Sequence, residues 1–92
     1  MNLTNIPQRN PDIAYEKVGE ESILLSLTSG AHYTLNDTGT MFWDLIDGKR
    51  TIAVCAAEIA IEYNAVPEIV EADLLELAVE FKSEKLIDIL GT

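Results

Sequence analysis

The chain is poor in the residue types that most chemistry needs. Cysteine occurs once, at Cys55, so neither an intrachain disulfide nor a cysteine-based metal cluster is open to it. Histidine also occurs once, at His32, with no cysteine or paired carboxylates at ligand spacing nearby. A general base needs a partner to set its pKa, so His32 reads as structural or exposed. Gly30, Gly39 and Gly48 are isolated beside turns or helix ends, so a glycine-rich phosphate loop is lacking. Basic residues number 6 against 16 acidic ones, for a net charge of −10. Nucleic-acid binding draws its non-specific affinity from Lys and Arg on phosphates, and residues 58–80 carry seven acidic side chains and no basic one. Neither nucleic acid nor an anionic membrane surface is an expected partner. No apolar run reaches the roughly 18 residues that span a bilayer. Residues 1–11 are polar and lack the apolar core of a secretory signal, so a cytoplasmic protein is expected.

What remains is a foldable domain with a clear order of elements. Hydrophobic residues make up 48% of 92 positions, enough for one modest core. Residues 1–11 contain Pro7 and Pro11 and show no periodicity, which predicts a flexible tail ahead of a single domain at 12–92. Ile13–Val18 alternates weakly, residues 22–27 form a more buried run, and His32–Leu35 is a short third strand. Tight loops between them predict an antiparallel meander. Asn36 is placed to cap a helix whose buried face is Met41, Phe42, Leu45 and Ile46, with Gly48 set to end it in the left-handed conformation. Thr51 caps a second helix with Ile52, Ala56, Ile59, Ala60 and Tyr63 on one stripe, and Asn64 as its stop. Pro67 opens a third helix, where its missing N–H costs nothing. Here Val70, Leu74, Leu77 and Phe81 share one face, and Ala72, Leu75 and Val79 lie roughly opposite. Two apolar stripes mean a sandwiched helix, or one stripe in the core and one lining a groove. Residues 86–90 read as a closing strand or an extended tail. Strands followed by helices give an α+β class: a winged-helix-like domain with a three-stranded antiparallel N-terminal meander and three α-helices.

No candidate nucleophile has a matched base. Cys55 lies near an apolar stripe and reads as a small buried hydrophobe. Trp43 reads as a core or rim aromatic. The carboxylates of the third helix read as a solvated face, since a hard-metal site needs more oxygen ligands. No cofactor and no metal is expected, and the chain does not read as an enzyme. The third strand is the more informative candidate. It comes last in the meander, so one edge is a template for an extended peptide. With the third helix alongside, backbone groups from Ala31 to Leu35 would bond the peptide. Leu74 and Leu77 would form pockets, and Asp73, Glu76 or Glu80 would meet basic residues. The alternative is that the N-terminal tail or the C-terminal segment covers this edge; pattern alone leaves both open. The net charge likewise reads either as solubility or as a preference for a basic partner.

The order of motifs resembles a known family. Leu24, Leu25 and Leu27 form a leucine-rich strand. Gly30 follows, then Tyr33, Leu35 and Asn36. Trp43, Leu45, Asp47 and Gly48 close the first helix, and Thr51 starts the next. Tyr63, Pro67, Glu68, Asp73 and Leu74 continue the pattern. Together these resemble the family of pyrroloquinoline-quinone biosynthesis protein D, the recognition elements for ribosomally made peptides that are later modified. Two positions depart from it: Val66 stands where a polar residue usually precedes the proline, and Lys85 where a glycine commonly precedes the final Leu-Ile pair. The resemblance implies a non-catalytic chaperone that holds the leader of a precursor peptide as an added strand. It would present that peptide to a modifying enzyme, either a radical-SAM enzyme or a leader peptidase. Carried onto this chain, the peptide-binding residues are His32, Tyr33, Thr34 and Leu35 with Asp73, Leu74, Leu77 and Glu80. A winged-helix transcriptional regulator or adaptor without a peptide substrate is the alternative. An open strand edge is also compatible with a homodimer.

Overall fold

Local capping chemistry sets the helix starts in the computed structural model, which describes residues 1–90; Gly91 and Thr92, the end of the expected 12–92 domain, lie outside the described residues. The elements are β1 (Ile6–Arg9), β2 (Ile13–Val18), β3 (Glu21–Ser26), β4 (His32–Leu35), α1 (Asp37–Leu45), α2 (Ile52–Tyr63), α3 (Pro67–Ser83) and β5 (Ile87–Leu90). The Asn36 side chain accepts from the Gly39 N–H, and the Thr51 hydroxyl accepts from the Val54 N–H. Pro67 is at the start of α3, and no side chain caps that helix at Val66.

The expected meander is β2-β3-β4, antiparallel throughout, followed by three helices. The expected flexible tail is different. Ile6–Arg9 is a strand paired antiparallel with β5, Pro7 opposite Ile89. The Asn10 N–H donates to the Leu86 carbonyl at 2.9 Å, which makes residues 10, 8 and 6 the hydrogen-bonded positions of this ladder. Pro7 therefore lies where its nitrogen points away from β5, so no ladder donor is lost. Its ring is fully buried. Of residues 86–90, Ile87–Leu90 are thus a closing strand, paired with β1.

The core lies between the inner face of the meander and the helices. Leu24 and Leu35 from the sheet meet Phe42, Trp43, Ile46, Ile52, Ile59, Leu74 and Phe81. Phe81 stacks on Phe42 with centroids 5.8 Å apart and takes the edge of Trp43 at 6.0 Å. Cys55 is fully buried, and burial pushes its thiol up to about 11, which keeps it an inert hydrophobe.

Three helix details depart from expectation. α1 stops at Leu45, and Ile46 turns extended to seat its side chain in the core. Gly48 does take a positive φ of 76°, in the turn beyond the helix, where the Asp47 carboxylate accepts from the Lys49 and Arg50 N–H groups. Tyr63, at the end of the α2 stripe, is 43% exposed. α3 ends with the Leu86 N–H on the Phe81 carbonyl and the Lys85 N–H on the Lys82 carbonyl. That closure holds Lys85 left-handed at φ 61°, the conformation a glycine adopts most easily.

Candidate functional site: a strand edge beside an acidic helix face

β4 pairs with β3 on one side and, among the described residues, with no strand on the other. The Ser26 N–H donates to the Ala31 carbonyl at 2.9 Å. Because bonded and non-bonded pairs alternate in an antiparallel ladder, Tyr33 and Leu35 direct their backbone groups at β3. The N–H and C=O groups of His32 and Thr34 point out from the sheet edge. Side chains alternate in the other sense. Leu35 is buried, Tyr33 is half-buried, and His32 and Thr34 are exposed.

The far end of β4 is held firmly. The Ser22 and Thr40 hydroxyls are hydrogen-bonded at 2.7 Å in a buried position, linking β3 to the first turn of α1. At Gly39 a side chain would meet Asn36 Oδ1 and Leu35 Cβ at 3.3 Å, so the absence of one lets the helix start close against the strand.

α3 runs beside this edge. The Tyr33 hydroxyl donates to Glu84 Oε2 at 3.0 Å, joining the strand to the C-terminal end of the helix. That hydrogen bond, with some burial, raises the phenol above its ordinary value. It also fixes which side of α3 faces β4. Asp73, Leu77, Glu80 and Glu84 fall at i, i+4, i+7 and i+11, one stripe of a helix. Glu84, at the end of this stripe, reaches Tyr33. A groove of about 860 Å³ lies here. Asp73, Leu77 and Glu80 line it, as do Glu76, Leu75 and Val79. Asn36 and Thr38 line it from the β4–α1 corner, and Met1 and Ser83 complete it. No Lys, Arg or His side chain does so.

The sequence-derived residues therefore divide. His32, Tyr33, Thr34 and Leu35 form the edge strand and are not among the groove's lining residues, whereas Asp73, Leu77 and Glu80 are. Leu74 is not: it is fully buried in the core, one helical step of about 100° from the groove side. The opposite apolar face is split between the half-buried Leu75 and the exposed Val79, both on the groove. Asn36, Thr38 and Glu84 were missed. The i, i+4, i+7, i+11 spacing is the signal that would have found Glu84; nothing local marks Asn36 and Thr38 beyond their role in starting a helix.

Among the described residues no helix is long and apolar enough to cross a membrane. A family model described as coenzyme PQQ synthesis protein D (PqqD) matches residues 21–87. The chain superposes on TbiB1 in complex with the TbiA(beta) leader peptide with a TM-score of 0.79, at 21% identity over 92% of this chain and 96% of that one. Lasso peptide synthetase B1 complexed with its leader peptide gives 0.79 at 22% identity, over 90% and 98%. The PqqD truncation of Methylobacterium extorquens PqqCD, described as a stand-alone recognition element for ribosomally synthesized and post-translationally modified peptides, gives 0.75 at 21% identity, over 89% and 87%. At these identities the likeness establishes the fold. No curated protein matches the chain.

Proposed function

Because the chain belongs to the family of coenzyme PQQ synthesis protein D, we propose that it is a non-catalytic chaperone for the leader of a ribosomally made precursor peptide. The leader adds as a strand to the free edge of β4, bonding the outward backbone groups of His32 and Thr34. Its side chains lie against Asp73, Leu77 and Glu80 of α3. Tyr33 and Leu35 set the strand, and Leu74 supports the helix from the core without touching the peptide. Holding the leader raises the effective concentration of the attached core peptide at a modifying enzyme, with no chemistry by this chain. That enzyme is a radical-SAM enzyme or a leader peptidase, acting in the cytoplasm.

The observation that carries this reading is the state of the β4 edge. The two segments able to cover it, β1 and β5, pair with each other, and Tyr33 ties the strand to the end of α3, along which a groove lies. The leader peptides bound to TbiB1 and lasso peptide synthetase B1 support it, since both share this fold. DNA binding is disfavoured by α2 and α3, which carry no basic residue between Glu58 and Glu80.

The test is a two-dimensional NMR titration with a candidate precursor leader peptide. Micromolar or tighter binding is expected, with shifts confined to residues 31–35 and 67–81. Unmoved amides in both segments would end the proposal.

A further inference from the structure

We infer that the leader accepted by this groove is cationic, with Lys or Arg at alternate positions of its added strand facing α3. This rests on the strand-addition reading above and specifies its substrate class.

The basic residues that the structure engages lie away from the groove. Asp44 is paired with Lys17 at 2.6 Å, and Asp47 and Glu58 are paired with Arg50 at 2.9 Å. Arg9 lies over the Trp43 ring, 5.8 Å from its centroid. Among the described residues no ion pair involves Asp73, Glu76 or Glu80. The basic residue within α3, Lys82, is not among the residues that line the groove.

Helix stability does not explain where these carboxylates are. Glu76 and Glu80 are like charges at i, i+4, which weakens a helix. Glu80 lies near the helix C-terminus, with Glu84 just past it, where the dipole disfavours negative charge. A bound cation relieves both penalties. Spacing fits as well. Glu76 and Glu80 are one turn apart, about 6 Å along the axis. Side chains on one face of a strand repeat every ~6.7 Å. Lys or Arg at i and i+2 of the added strand therefore matches the two carboxylates, with small or apolar residues between.

The test uses the full chain and three short synthetic peptides of Thr and Val carrying Lys, Gln or Glu at every second position. Affinity is measured at about 50 mM and about 500 mM salt, where screening differs strongly, and strand addition is read from the His32 and Thr34 amide signals. The Lys peptide is expected to bind about ten-fold tighter than the Glu peptide at low salt, the size that a few exposed charge pairs supply. The gap should shrink at high salt and in a variant carrying Asp73→Asn, Glu76→Gln and Glu80→Gln, whose unchanged amide spectrum away from the groove verifies folding. If all three peptides move the His32 and Thr34 amides with equal affinity, or the triple variant keeps the preference, the cationic-leader inference falls and strand addition stands. If no peptide moves those amides, both fall.

Discussion

The meander ends in β2 on one side and β4 on the other, and the two edges are finished differently. On β2 the Asp12 carbonyl accepts from the Leu27 N–H, so the outward backbone groups are those of Ile13, Tyr15 and Lys17. The Ile13 N–H is already used, on the Asn10 carbonyl at 3.1 Å. Lys17, a residue that blunts edges against pairing, reaches Asp44 of α1 at 2.6 Å, and the Tyr15 hydroxyl donates to the same carboxylate at 2.6 Å. Asp44 of α1 thus ties down two side chains of β2. β4 has no lysine, leaves His32 and Thr34 outward, and reaches the end of α3 through the Tyr33–Glu84 hydrogen bond. The contrast teaches that an exposed edge alone does not make a peptide site. The outward groups must also be left unused: among the described residues nothing bonds the His32 and Thr34 N–H groups, whereas the Ile13 N–H and the Tyr15 and Lys17 side chains are engaged.

The largest effect expected from breaking this arrangement is on α3 itself. Leu74→Ala should destabilise the fold by about 2–5 kcal/mol, as for other buried leucines, measured by urea unfolding. Leu77→Ala, on the groove side, should cost far less stability and instead weaken peptide binding. Next comes the edge. Thr34→Pro removes an outward donor without removing a ladder bond, so peptide affinity should fall about ten-fold, near the net worth of one hydrogen bond, while the chain stays folded. Lys17→Pro does the equivalent to β2 and should leave peptide affinity unchanged. Calorimetric titration of both variants checks the pair.

A smaller effect is expected where α3 ends and reaches β4 through Glu84. Lys85→Gly relieves a left-handed residue and should add about 1 kcal/mol, seen as a Tm higher by several degrees. The smallest is a pH effect confined to the β2 side. Burial alone would raise the Asp44 carboxyl, but hydrogen bonds from Lys17 and Tyr15 and the Lys17 charge bring it below the ordinary value. A depressed carboxyl contributes stability above its unfolded pKa of about 3.9, and that contribution is lost as pH falls through the lower folded value. Asp44→Asn should therefore lower stability modestly at neutral pH and leave it little changed at acid pH where the contribution is already lost, so that the acid limb of the stability profile flattens.

The helix starts were legible because capping is local: Asn36, Thr51 and Pro67 need only neighbours a few residues away. The three-strand meander was legible from its loops and apolar runs. β1 was not, since Pro7 and Pro11 look like breakers until β5, some 80 residues on, supplies a ladder in which the Pro7 nitrogen points outward. The groove was half legible. Asp73, Leu77 and Glu80 share a stripe, but helical spacing alone puts Leu74 beside Leu77. Only the stacking of Phe42 on Phe81 marks the core side of α3, and the burial of Leu74 beside a groove-lining Leu77 follows from it. The Tyr33–Glu84 hydrogen bond spans 51 residues and has no local trace.

Backbone amide hydrogen exchange, with and without the precursor peptide, tests the central claim most directly. Strand addition to β4 predicts that the His32 and Thr34 N–H groups become protected on binding while those of Tyr15 and Lys17 exchange as before. Protection at Tyr15 and Lys17 instead, or at neither edge in the presence of saturating peptide, would contradict it.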